Sequence, residues 1–486
     1  MKTLVVLMDS LNRHMLKAYN DNAWVRTPNI DTFVSDSIAF DNHFIGSMPC
    51  MPARRDIFTG RLNFLERCWG PLEPHDVTLQ QVLKENGICT HMITDHTHYV
   101  EMGGEGYLQQ FKTWDIHRGQ ESDQWVSLVD APVLPDEYLG TARSQYECNR
   151  TKYFSDSDFP TPRTFQAACE WAENNAGTDN FFLMVEGFDP HEPFDTPDEF
   201  VAMYQDDYVG PRFEWSTYAP VTEPEDAIEH LQKKYAATLS MADKWFGKFI
   251  KTLKENDLFE DTLIILTSDH GHMLGEHDFT GKNFMHAYNE MANIPFIVHL
   301  PNQKHAGERR STLTQNIDLM PTILSYFNID IPKSVKGFSL LDVFEGEQEE
   351  VREAAIYGWH ASAVNVTDAE YTYFRAATRE DNQPCYNYCV IPTSLWRYMG
   401  IEDEKNIECG RFLPRTVYPQ FKIPCKGKRG KHVSESLLFD IQKDYSQMYP
   451  INDQVTENIM IDKMIKCMKE TESPEEQYER LGLDNR

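Results

Sequence analysis

Long apolar runs are missing from this chain of 486 residues. No stretch approaches the ~20 apolar residues that a membrane-spanning helix needs. The opening Met1-Lys2-Thr3-Leu4-Val5-Val6-Leu7-Met8-Asp9 turns polar too soon for a secretory leader and reads as a first buried strand. Positive charge is scarce as well: 46 Lys plus Arg face 76 Asp plus Glu, a formal net charge of -30. That balance argues against a nucleic-acid or anionic-membrane partner, and an anionic ligand has to be drawn to a local positive site against the field of the whole molecule. Ten cysteines are scattered without a paired framework, which fits a reducing cytoplasm better than a disulfide scaffold. Cys385, Cys389, Cys409 and Cys425 invite a zinc or disulfide reading, but no C-x-x-C pair or matched histidines accompany them. Internal repeats and low-complexity tracts are absent. The one basic cluster, Lys426-Gly427-Lys428-Arg429-Gly430-Lys431, reads as a solvated loop or as a contact for an anionic sugar.

What is present is ample material for burial. Hydrophobic residues make up 41% and aromatics 12% of a chain longer than one ordinary core, so one large domain with a smaller companion is expected. Strand and helix patterns alternate as in an α/β domain with a large, mostly parallel central sheet flanked by helices. The runs Leu4–Leu7, Phe181–Val185, Leu263–Leu266 and Phe296–Val298 read as fully buried strands. The first three end in polar residues: Asp9, then Glu186 to His191, then Ser268-Asp269-His270. Ligands of open α/β sheets sit at the carboxyl edge of the strands, so these segments are expected to converge there. Helices are expected from Thr27-Pro28-Asn29-Ile30-Asp31 onward, at Thr78 to Glu85, Pro162 to Asn174 and Glu225 to Lys254, and, interrupted by Pro321, at Thr314 to Phe327. Beyond about residue 345 the texture changes. Ala354 to Gly358 and Tyr371 to Arg375 look like antiparallel strands around a turn at Thr367-Asp368, Ser434 to Asp440 like another strand, and Thr456 to Glu470 like a helix. The expected division is an α/β domain over 1–345 and a C-terminal antiparallel-sheet α+β subdomain with a terminal helix over 346–486.

Two motifs carry chemistry. Cys50-Met51-Pro52-Ala53-Arg54 is closed by Thr59-Gly60-Arg61; alone, such a run reads as a buried cysteine beside a proline turn. Ser268-Asp269-His270-Gly271-His272-Met273-Leu274-Gly275-Glu276-His277, followed by Gly281-Lys282, empties a strand into a carboxylate and an imidazole, both metal-ligand types, at a glycine that permits a sharp turn. The spacings C-x-P-x-R-(x)4-T-G-R and S-D-H-G-x-x-L-G-x-H-(x)3-G-K, in this order after Asp9, resemble the type I sulfatases of the alkaline phosphatase-like superfamily, close to the phosphonate monoester hydrolase branch.

The resemblance implies that a formylglycine-generating maturation enzyme converts Cys50 to an aldehyde whose hydrate is the nucleophile. An ordinary serine attacks a sulfate ester poorly and its enzyme sulfate hydrolyses slowly, whereas a geminal diol attacks with one hydroxyl and expels sulfate by deprotonating the other. Asp9, Asp269, His270 and the modified Cys50 are the implied ligands of one divalent cation. Position 10 is Ser where many members carry a second Asp, and His270 stands where calcium sulfatases often carry Asn. The site is therefore less hard and less anionic, which makes manganese a rival to calcium, with Asn12 a further possible ligand. Arg54 is expected to hold the diol near the metal, and Lys282 to bind a nonbridging sulfate oxygen. His191, within Asp189-Pro190-His191-Glu192-Pro193, is a candidate general acid, while Glu192 or Asp189 could merely cap that loop. In Thr94-Asp95-His96-Thr97-His98-Tyr99 the usual lysine is absent; His98 is favoured as the second substrate-contacting histidine, with His96 as the alternative and Asp95 as an orienting group. His14, His43 and His277 are weaker candidates for packing or support.

The expected reaction is hydrolysis of a sulfate ester, with a sulfated saccharide as preferred substrate. A phosphonate monoester or phosphodiester hydrolase with the same machinery and a noncatalytic carbohydrate-binding relative are the alternatives. The aromatic stretches Trp114 to Trp125 and Tyr386 to Trp396 are candidate walls for sugar rings. Related hydrolases imply a possible homo-oligomer and the cysteine pattern a cytoplasmic location.

Overall fold

The computed structural model describes residues 1–283, 285–399, 404–425 and 434–484. The basic cluster at 426–431 lies outside them. The centre is a sheet of eight strands: β1 (Lys2–Met8), β2 (Ile38–Phe40), β3 (Cys89–Thr94), β4 (Thr113–Ile116), β5 (Phe181–Gly187), β6 (Leu263–Thr267), β7 (Phe296–His299) and β8 (Arg309–Arg310), in the order β8-β2-β7-β6-β1-β5-β3-β4. From β6 to β4 every pairing is parallel; β7 runs antiparallel to both of its neighbours. Side chains alternate between the two faces, as the pleat requires. Leu4, Val6 and Met8 join Phe181, Leu183, Val185, Ile264 and Leu266 in one core, while Val5 and Leu7 join Phe182, Met184, Leu263 and Ile265 in the other.

Helices cover both cores. On the second face lie α1 (Cys50–Thr59), α2 (Leu79–Glu85) and α5 (Leu319–Tyr326); on the first lie α3 (Pro160–Asn174) and the long α4 (Glu225–Glu255). The stripe Ala227, Leu231, Tyr235, Leu239, Ala242, Phe246, Phe249 and Leu253 keeps α4 on the sheet along its whole length. Pro321 falls in the first turn of α5, where its missing N–H costs no helical bond, so the interruption lies before it: residues 314–315 form a short strand and 316–318 a tight turn.

Beyond residue 345 a second sheet runs in the order Leu437–Asp440, Tyr371–Arg375, Val364–Thr367, Ala355–Trp359, Ser47–Met48. Val364–Thr367 separates the two strands expected to be neighbours, so the turn beyond Thr367 joins it to Tyr371–Arg375. The helix α6 (Gln454–Glu470) packs Met460, Ile461, Met464, Ile465 and Met468 against Ile356, Val366, Tyr373 and Leu438. The outermost strand, Ser47–Met48, comes from the segment entering α1 and pairs in parallel with Gly358 and Trp359, so hydrogen bonds cross the division proposed at 345/346. No helix among the described residues is long and apolar enough to cross a membrane.

Gly271, where the chain leaves β6, donates its N–H to Met291 O at 3.0 Å, and a Cβ there would stand 1.9 Å from Glu290 O. Backbone, not a flexible side chain, occupies that space. Gly271→Ala is expected to cost about 1–3 kcal/mol of stability as an overpacked position, read as a lower urea midpoint at unchanged slope; an unchanged midpoint would refute the close approach.

Candidate active site at the carboxyl edge of the sheet

Strand register brings the polar segments together. Leu7 lies opposite both Glu186 and Thr267, and Glu186 lies opposite Thr94, so β1, β5, β6 and β3 end at one level. Asp9, Asp269-His270, Glu186 to His191 and Asp95 to His98 leave the sheet there. α1 delivers Cys50 and Arg54 from the side. Pro52 sits in its first turn, where no N–H is needed, and Gly60, at φ 63°, ends it by donating to Asp56 O at 2.8 Å. Asp56 accepts from Ser47 Oγ at 2.9 Å and from the Asn63 N–H at 3.1 Å, tying α1 to the strand before it.

At the centre stands Arg54, sealed from solvent. Its guanidinium donates Nη1 to Asp269 at 2.6 Å, Nη2 to Asp9 at 2.8 Å and Nε to Glu186. Glu186 also accepts from Thr94 Oγ1 at 2.9 Å. With Lys282 Nζ 3.9 Å from Asp9 Oδ1, three carboxylates face two buried cations, which leaves a surplus of negative charge that a further cation would offset. Asp9, Cys50, Asp269 and His270 offer one ligand atom each, all within 4.8 Å of one another. His270 Nδ1 is 2.9 Å from Gly271 O and donates to it, so the Nε2 lone pair faces Cys50 Sγ at 3.2 Å and Asp269 Oδ2 at 3.3 Å. Two carboxylates and an oriented imidazole fit a single divalent cation. Burial works against the Asp9 carboxylate, but Arg54 and Lys282 outweigh it and bring its pKa down to about 2. Burial, together with Asp9, pushes the Cys50 thiol well up, so residue 50 is no ready thiolate.

Ser10 takes up the position of the missing carboxylate. At φ 61° it adopts a conformation uncommon outside glycine, held by its N–H on Asp269 Oδ1 at 3.1 Å and its carbonyl on the Tyr235 hydroxyl at 2.9 Å. Its Oγ donates to Asp9 Oδ1 at 2.8 Å and accepts from Lys282 Nζ at 2.8 Å, which fixes the lysine beside the ligand cluster. Asn12 spends its amide on His272 O and its carbonyl on His14 N–H. His191 stacks on Phe188 and donates Nδ1 to Glu192 O at 2.7 Å; burial, with Lys282 and His270, lowers its pKa to about 3 despite Glu192. Glu192 accepts from the Tyr218 hydroxyl and stands 3.5 Å from His272 Nδ1.

The structure places His96 innermost, its Nδ1 3.7 Å from Asp9 Oδ2 and both ring nitrogens buried without a hydrogen-bond partner. His98 lies one ring further out, 5.1 Å from His96 and edge-on to Trp69, with Nδ1 3.0 Å from Glu101 Oε2. Burial opposes its charge, but Glu101 prevails and raises its pKa. Asp95 orients neither: it binds Thr161 Oγ1 and Gln120 and takes the Phe188 N–H, joining the ends of β3 and β5. His43 stacks on Phe296 between Thr314 and Asn316, His277 stacks on Tyr288 and His14 sits beside Tyr445, all in packing.

Residues 2–329 match the family model described as Sulfatase. The chain belongs to the sulfatase family. Among its relatives is the multifunctional alkaline phosphatase superfamily protein PehA of Trinickia caryophylli, 25% identical over 443 residues that span 79% of this chain and 83% of that protein. A structure in complex with its substrate D-glucosamine-2-N,6-O-disulfate superposes with a TM-score of 0.68 at 16% identity, over 97% of this chain and 98% of the other. The phosphonate monoester hydrolase of Agrobacterium radiobacter superposes with a TM-score of 0.67 at 17% identity, over 96% and 95%. This sulfatase thus has the alkaline phosphatase-like fold, and as a member of its family is a sulfuric ester hydrolase.

Sequence reasoning gave no site role to Glu186, His272 or Tyr218, and read Glu192 only as a loop cap. Glu186 was detectable as a charge at the end of an otherwise apolar buried strand; Tyr218 lies in a segment with no motif. Removing Arg54 would strand three buried carboxylates. Arg54→Met is expected to cost about 3–5 kcal/mol at neutral pH. In the unaltered protein, Asp9, held at about 2, contributes stability that is full above the ordinary carboxylate pKa and is lost on acidification towards pH 2. In the variant Lys282 still opposes burial at Asp9, but burial at Glu186, which raises that carboxyl's pKa, loses Arg54, its main counterweight, so stability should instead fall as pH rises through the Glu186 pKa. Urea midpoints across pH read this reversal, and a loss independent of pH would refute it.

Proposed function

We propose that this sulfatase releases sulfate from a sulfated sugar, with Cys50 oxidised to formylglycine by a maturation enzyme and one divalent cation, calcium or manganese, held by Asp9, Asp269, His270 and residue 50. The observation that carries this reading is the position of Cys50: buried at the first residue of α1, its Sγ 3.2 Å from His270 Nε2 and within one ligand cluster with both aspartates. When present, the cation and the hydrated aldehyde supply positive charge and a hydroxyl nucleophile beside each other. The side chains do the rest. Arg54 spends its donors on Asp9, Asp269 and Glu186, so its role is to position the metal-binding carboxylates. Lys282, held by Ser10, faces the charge on a nonbridging sulfate oxygen, and its loss should cost on the order of 10²–10³ in kcat. His96, the alternative to His98, is assigned to the sulfate oxygens, with support from its two partnerless ring nitrogens beside Asp9. His191 and His98 are the candidate acids for the leaving alcohol, and of the two only His98 has its pKa raised.

Sugar recognition draws support from the solved relative's substrate and from the mouth of the site. Trp69 and Trp396 stack at 5.1 Å alongside His98, and Trp396 Nε1 donates to Glu101 at 2.9 Å. A fixed aromatic pair suits the apolar face of a sugar ring. Of the Tyr386 to Trp396 stretch, Trp396 is the residue assigned to a wall, whereas Trp114 lies on the edge strand β4. A second reading, a phosphonate monoester or phosphodiester hydrolase, draws support from the fold shared with two phosphonate monoester hydrolases and from the multifunctional relative.

The mass of the Cys50 peptide after production with the maturation enzyme should report the aldehyde; an unmodified thiol there would refute the nucleophile. Paired rates on aryl sulfate and aryl phosphonate esters, with calcium and with manganese, should favour sulfate, and a preference for phosphonate would install the second reading. Ligand binding without either release would make the chain a noncatalytic relative. Because Glu101 raises the His98 pKa, Glu101→Gln should move the alkaline limb of the kcat/KM profile to lower pH; an unmoved limb would remove His98 as the acid.

A further inference from the structure

Outside the active site, two cysteines and a histidine from three separate segments converge. Cys385 precedes the strand Tyr386–Cys389 and Cys425 follows Gln420–Pro424; the two strands pair antiparallel, with Tyr386 opposite Pro424, so the cysteines face each other across the end of the ladder. Cys425 N–H donates to Cys385 O at 2.8 Å. His360, just beyond Ala355–Trp359 of the five-stranded sheet, reaches the same point: its Nε2 is 4.0 Å from Cys385 Sγ, and one ligand atom from each of the three lies within 4.8 Å of the others. His360 Nδ1 is 3.0 Å from Phe64 O and donates to it, which leaves the Nε2 lone pair aimed at the sulfurs. This tautomer lock is the one metal-binding histidines use. Tetrahedral zinc, with sulfur at about 2.3 Å and nitrogen at about 2.0 Å, needs ligand atoms roughly 3.5–3.8 Å apart, a contraction of a few tenths of an ångström to about one ångström. Cys385 and His360 are buried, Cys425 is half-exposed and gives the ion a way in. The buried Arg480, held by Ser362 O, Asn382 and Gln477, lies close enough to interact with both cysteines.

We propose that His360 Nε2, Cys385 Sγ and Cys425 Sγ bind a thiophilic divalent cation of the zinc type, separate from the catalytic centre. Binding displaces the thiol protons to solvent and joins the sheet of Tyr386–Cys389, Gln420–Pro424 and Glu408–Gly410 to the end of the five-stranded one. The strand Tyr386–Cys389 carries the chain towards Trp396, so the ion would also steady the wall of the active-site mouth. Neither Cys389, which lies beside Arg67, nor the exposed Cys409 belongs to the set.

Cobalt(II) added to the Cys50→Ala protein, which has no thiol at the catalytic centre, should give thiolate-to-cobalt charge-transfer absorption that disappears in the further variant Cys385→Ser/Cys425→Ser. No such band, or a band that survives both substitutions, overturns the proposal. As a check that leaves the three proposed ligands unsubstituted, the Cys50→Ala protein is loaded with zinc, desalted and titrated with a mercurial thiol reagent, with released zinc read by a chromogenic chelator. Release of one equivalent is expected. Absence of release, or a Cys385–Cys425 disulfide in the peptide map, overturns the assignment.

Discussion

One guanidinium among three carboxylates organises this site. Arg54 is fully buried, and each carboxylate it binds ends or follows a different central strand: Asp9 after β1, Glu186 in β5, Asp269 after β6. Charges removed from water at such cost are tolerable only when paired in good geometry, so α1 cannot shift along the sheet edge without leaving carboxylates unmatched. Cys50 lies one turn earlier on the same helix. The interaction that locks Arg54 therefore also sets where residue 50 meets His270.

The same cluster explains how a chain with a net charge of -30 can receive an anion. Lys282 is pinned by Ser10, and a divalent cation in the ligand set would offset the surplus left by Asp9, Asp269 and Glu186. Local potential at a sealed site is decided by these near neighbours, since distant surface charges are screened. Ser10 at the place of a second aspartate lowers the negative charge of the ligand set while giving the lysine an anchor.

The C-terminal part is structurally continuous with the centre. Ser47–Met48 adds to the five-stranded sheet immediately before α1 begins, so packing of α6 on that sheet bears on the position of Cys50. From the other side, Trp396 reaches back to Trp69 and Glu101 at the mouth. The candidate ligand cluster and the aromatic pair near it are thus held by one hydrogen-bonded frame.

Much of this was legible in the sequence. Short apolar runs ending in Asp9, Glu186 and Asp269 mark buried parallel strands and their functional edge, because a strand covered on both faces must be apolar and its ligand-binding end polar. The two motifs identified the family because their spacings encode a helix start and a strand exit. Other features depended on contacts distant in sequence. Val364–Thr367 between its neighbours, the three carboxylates on Arg54, the inner place of His96 and the approach of His360 to Cys385 and Cys425 were decided by the tertiary structure. Periodicity reports which face of an element is buried, whereas the partner that a buried charge or lone pair meets is fixed only when strands from opposite ends of the chain are brought into register.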